Sequence, residues 1–111
     1  MSVFRLERQG DGIVHLVMDH PDRKVNVLDA RALADLETAL DELERLDGVS
    51  GVVLVSGKSG SFIAGADVEA IGAITERDTV LALIRRGHAA FGRLSNLAVP
   101  TVAAIDGVCL G

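Results

Sequence analysis

An α/β fold is expected from three features of this chain. The Val/Leu run from Gly51 to Val55 is bounded by glycine and by the turn-rich Ser56 to Gly60. It is too short for a helix, so it reads as a strand buried on both faces. Upstream, Leu33, Leu36, Leu40, Leu43 and Leu46 recur at three- and four-residue steps and form one apolar helical stripe. Earlier still, Val3 to Arg8 and Ile13 to Met18 flank Gly10-Asp11-Gly12, which is a hairpin signal. Strand, helix, strand in that order predicts a right-handed crossover and a parallel pairing.

Each element has its own local warrant. In the first strand Phe4 and Leu6 alternate with Arg5 and Glu7, giving one wet face. His15 in the second strand reads as a cross-strand surface residue rather than a ligand. A charged loop around Pro21 runs into Val25-Asn26-Val27-Leu28, and Asp29 is a good N-cap for the helix that follows. The carboxylates Asp35, Glu37, Asp41, Glu42 and Glu44 lie mostly off the leucine stripe and form a solvated face. Gly48 is the expected left-handed stop.

After the central strand, Asp67 to Gly72 reads as a short helix. A longer one starts near Thr75, with Asp78 in the capping-box position, and continues through Leu94. Arg85, Arg86, His88 and Arg93 give it a basic flank, and Val99-Pro100 stops it. Thr101 to Ile105 is again β-prone, and Asp106-Gly107 turns the chain into Val108 to Gly111.

The chain has 111 residues, enough for one small domain, and 49% of them are apolar. Aromatics are scarce, with three Phe and no Trp or Tyr, so Val, Leu, Ile and Ala must fill the core. A net charge of −5 argues against a nucleic-acid partner. Cys109 is the single cysteine and can form no internal disulfide, so a reducing, cytoplasmic location is expected. No stretch is apolar enough over a sufficient length to suggest membrane insertion.

Several apparent motifs fail on inspection. Gly57-Lys58-Ser59 mimics the tail of a phosphate loop, but Val52 occupies the position of its first glycine. No Cys/His spacing suits zinc, and Asp67 and Glu69 are ordinary first-turn carboxylates, so no metal is expected. The stretch Ser61 to Val68 (SFIAGADV) is more informative. Its small residues allow a ligand to approach the backbone, and Asp67 can cap a helix whose N–H groups would favour an anion.

Three segments together resemble the crotonase superfamily, the enoyl-CoA hydratase/isomerase fold: Pro21 to Leu28 (PDRKVNVL), Ser61 to Ile71 (SFIAGADVEAI) and Pro100 to Gly111 (PTVAAIDGVCLG). The likeness covers essentially the whole chain and is closest in wording to the hydratase part of multifunctional fatty-acid oxidation proteins. It implies crotonase-like ββα repeats forming the N-terminal portion of the family's spiral core. In the family, two backbone N–H groups hold the thioester oxygen as it gains negative charge. The resemblance assigns the first to Ala66, with Lys24, Val25, Ala64, Asp67, Val68 and Glu69 along the acyl-CoA. Glu69 stands where many hydratases carry lysine. Lys24 and Lys58 are candidates for the CoA phosphates.

The same likeness puts the second donor at position 112 and the two acid/base glutamates further on, so the chain is expected to be a truncated part of the domain. The implied activity is water addition to a trans-2-enoyl-CoA, with no cofactor beyond the CoA of the substrate. The implied assembly is a homo-oligomer or a multienzyme complex. An enoyl-CoA isomerase uses the same oxyanion hole and is the nearest alternative. A truncated, inactive module that binds acyl-CoA or a partner is the other.

Overall fold

The computed structural model describes residues 2–65 and 77–109. Four strands form the main sheet in the order β1-β2-β3-β5: β1 is Phe4–Arg8, β2 Ile13–Met18, β3 Gly51–Ser56 and β5 Thr101–Ala103. β1 and β2 pair antiparallel as the expected hairpin, closed by a single 3-10 turn at Gly10–Gly12 with Asp11 at φ 64°. His15 stands opposite Glu7 on this ladder, a cross-strand position. β2 to β3 and β3 to β5 are parallel. A second, two-stranded parallel sheet joins β4 (Ser61–Ile63) to β6 (Val108–Cys109).

Helix α1 spans Ala30–Arg45 between β2 and β3, as its leucine period requires. Its N-terminus is fixed by Asp29, whose Oδ1 accepts from the Ala32 N–H at 2.8 Å. Ala32, Leu33, Leu36, Ala39, Leu40 and Leu43 are all buried. They pack with Phe4, Val14, Leu16, Met18 and Val52, alternate residues that share one face of the sheet. The helix ends instead in an extended C-cap at Leu46, whose N–H donates to the Leu43 carbonyl; Gly48, at φ +74° two residues further on, turns the following loop and is not the left-handed stop the sequence suggested.

Helix α2, Arg77–Ser95, lies beside α1 and adds Ala90, Leu83, Phe91 and Leu94 to the same cluster. The basic flank read from the sequence meets the acidic face of α1. Arg86 pairs with Glu37, and Arg93 reaches Asp41 at 2.7 Å and Glu44 at 3.0 Å. These pairs are exposed, so each contributes little to stability. The short helix expected at 67–72 and the Thr75 cap lie outside the described residues.

A second expectation needs correction. β3 is not buried on both faces: Gly51 and Val52 are buried, whereas Val53, Leu54, Val55 and Ser56 are half-buried. The cause is the layer arrangement, because α1 and α2 add their buried side chains to one and the same cluster. β5 is exposed along its whole length.

Candidate functional site

The second motif becomes β4 and its exit, and the structure sets the first and third motifs on either side of it. On one side Ser61 pairs with Val108 and Ile63 with Cys109, with an irregular register between them. The approach to β6 is tight: a Cβ at Gly107, where φ is +85°, would collide with the Gly60 carbonyl. Only glycine allows this turn. On the other side the Ala64 N–H donates to the Asn26 carbonyl at 2.7 Å, and the Leu28 N–H donates to the Gly65 carbonyl at 2.8 Å. Gly65 leaves the strand at φ +101°, a conformation that side chains resist.

Asn26 is fully buried in an apolar run, a placement that costs free energy unless every polar atom is paired. Its Oδ1 accepts from the His20 N–H at 2.9 Å. Its Nδ2 faces the Met18 carbonyl, the Ser56 hydroxyl and the Phe62 carbonyl, each at 2.9 Å. Two N–H hydrogens therefore serve three acceptors, and the oxygen-rich surroundings fix which way the amide points. The side chain ties together the ends of β2 and β3 and the middle of β4.

His20 completes the support. It is 2% exposed, with Nε2 lying 2.7 Å from Asp29 Oδ2. The Asp22 N–H donates to Nδ1 at 3.3 Å, which makes Nδ1 the acceptor and Nε2–H the donor to Asp29. Asp29 thereby caps α1 with one oxygen and orients His20 with the other. Burial alone would raise the Asp29 carboxyl, but the Ala32 N–H and then His20 outweigh it and hold it below the ordinary value. A depressed folded value gives stability that is present at neutral pH and lost as the carboxylate protonates in the folded state. Asp29→Ala should cost roughly 0.5–2 kcal/mol at neutral pH. Asp29→Asn keeps a capping side chain and removes only the charge, and its deficit in thermal midpoint should close below about pH 4. A pH series of melts on both variants checks this.

Of the candidate binding residues, Lys24 and Val25 are exposed on the segment that leads into Asn26, with Val25 at 41%. Ala64 is half-buried and its N–H is occupied by Asn26. Ala66, Asp67, Val68 and Glu69 lie outside the described residues. Lys58 is not brought to this place as a spare cation. Its ammonium sits 2.9 Å from Asp19 and its side chain is 15% exposed. That pairing, followed by Arg5, holds the Asp19 carboxyl below its usual range. Leu28 also lines an apolar cleft of about 220 Å³ between α1 and α2, with Leu33, Leu83, Ile84 and Phe91 around it. Among the described residues no cluster of His, Cys, Asp or Glu could hold a metal, and no helix is long and apolar enough to cross a membrane.

Three motifs gathered on one short strand, above a ββα layer, define an α/β chain of the crotonase kind. The chain belongs to the enoyl-CoA hydratase/isomerase family, whose model matches residues 8–111. It is 41% identical over 110 residues to the fatty acid oxidation complex subunit alpha of Shewanella amazonensis, covering 99% of this chain and 16% of that protein. The subunit of the same name from Idiomarina loihiensis is also 41% identical over 110 residues. The chain thus spans about 16% of the length of these relatives.

Among solved structures, an enoyl-CoA hydratase from Bacillus anthracis superposes with a TM-score of 0.86 at 21% identity, over 99% of this chain and 42% of that one. That likeness is one of fold. An enoyl-CoA hydratase/isomerase from Xanthobacter autotrophicus gives 0.84 at 27% identity, over 99% of this chain and 40% of that one.

Proposed function

We propose that the gene product carrying this chain adds water to trans-2-enoyl-CoA thioesters in fatty-acid β-oxidation, and that this chain supplies the half of the site that holds the thioester oxygen. The observation that carries the reading is the convergence of the three motifs on β4, with 26–28 bonded to one side and β6 to the other. A thioester oxygen that gains charge needs preorganised N–H donors, and each contributes on the order of 10²–10³ in rate. In this reading Ala66, one residue beyond the fixed Gly65, supplies one such N–H from the backbone.

The remaining parts follow the same reading. Asp67, Val68 and Glu69 continue along the ligand, and the apolar cleft beside Leu28 offers room for an acyl tail. No cofactor is needed beyond the CoA of the substrate. The acyl-CoA is the partner, and neither nucleic acid nor a membrane is required. The names of the relatives support a place in a fatty acid oxidation complex, and the single cysteine suits a reducing, cytoplasmic compartment. The family description also covers isomerases, and shifting a double bond would use the same oxyanion donors.

The test is turnover by the gene product carrying this chain, with crotonyl-CoA for hydration and a 3-enoyl-CoA for isomerisation. Hydration as the faster reaction supports the reading, and activity on the 3-enoyl substrate alone replaces it with the isomerase. Lys24 is assigned to the CoA phosphates. Lys24→Ala should raise KM severalfold and leave kcat unchanged, with a smaller effect on substrates that lack the phosphates.

A further inference from the structure

The proposed reaction depends on where the backbone after β4 is held, and the inference that follows rests on that reading. We propose that Asn26 is the positioning residue of the site, setting the line of β4 and of Ala64–Gly65. Backbone groups of successive strand residues point to opposite sides. In β4, Ser61 and Ile63 pair with β6, while the Phe62 carbonyl and the Ala64 N–H both bind Asn26, one through its amide and one through its main chain. The β6 side carries a register irregularity between Ser61 and Ile63, and the Asn26 contacts supply a second restraint from the opposite flank.

The same residue anchors this strand to the end of β2 through the Met18 carbonyl, while the Ser56 hydroxyl is a third acceptor for an amide that has only two hydrogens. A leucine of similar size would fill the space. It would leave the Met18 and Phe62 carbonyls and the His20 N–H without this partner, so packing alone does not account for an amide here. Asn26 touches no reacting atom in this scheme. Its effect on the reaction runs through the strand, and an ångström-scale error in such a frame costs about 10²-fold in rate.

The experiment uses the gene product carrying this chain with Asn26→Ala, the isosteric Asn26→Asp, and Ser56→Ala as a comparison. Ser56 is the one Nδ2 partner of the three that is a side chain, and its loss leaves two hydrogens for two carbonyls. The rate readout is kcat and KM for crotonyl-CoA per folded protein. The second readout is the near-ultraviolet band of a bound 3-oxoacyl-CoA, whose enolate forms more readily where the thioester oxygen is stabilised.

Both Asn26 variants are expected to lose about 10²-fold in kcat with KM changed little, and to show less enolate per bound ligand. Ser56→Ala should keep both. An undiminished enolate band and kcat in either folded Asn26 variant overturns the inference, as does an equal loss in Ser56→Ala. If the unsubstituted protein shows no enolate and Ala66→Pro is fully active, the underlying oxyanion reading has failed instead.

Discussion

Replacing Ala66 by proline in the gene product carrying this chain should lower kcat for crotonyl-CoA hydration by about 10²–10³-fold, with a smaller effect on KM. Proline removes the N–H, and because its ring also fixes φ and restricts the preceding Gly65, the loss is read together with a check of folding and of KM. The loss falls on kcat because the bond tightens as charge builds on the thioester oxygen, which the ground-state carbonyl does not carry. Ala66→Ser keeps the N–H and should retain most activity, which controls for crowding at this position. Steady-state rates on the two variants, with circular dichroism to confirm folding, decide the matter. Unimpaired turnover in the proline variant removes the oxyanion role from Ala66.

Leu40→Ala should be among the most damaging core truncations, at about 2–5 kcal/mol. Leu40 is fully buried at the middle of the α1 stripe, among residues from both strands and helices. Its neighbours belong to a sheet and to a second helix, so they are poorly placed to collapse into the space left behind. A fall in the denaturant or thermal midpoint of the gene product measures the effect. The same change at half-exposed Ile84 should cost far less, because water already reaches that side chain.

Much of the fold is legible in the residues because local pattern and tertiary role agree. The α1 stripe, the Asp29 cap, the hairpin and the parallel β2–β3 pair all follow from spacing, capping chemistry and handedness. The state of β3 does not follow, because an apolar run says that a strand can be covered and not how many layers cover it. The site divides in the same way. Small residues before Asp67 and the three motifs mark the place, yet nothing local marks His20 or Asn26 as its supports. Their partners lie at Asp29, Met18, Ser56 and Phe62, contacts that exist only after the chain has closed. A polar amide inside Val25 to Leu28 is the one available hint, since burial there demands partners.

Lys58 shows the converse. As a residue type it suits a phosphate, but Asp19 from the end of the hairpin claims it. Sequence separation hides that competition, and the exposed Lys24 remains the better candidate for a ligand contact.

The pairing of β4 with β6 has a consequence for how the chain is made. During synthesis the first motif leaves the ribosome well before the third, yet β4 is enclosed only when Val108 and Cys109 arrive. Until then Asn26 can hold one flank while the opposite one stays open, so β4 should gain its full protection from proteases only after residue 109 has left the ribosome.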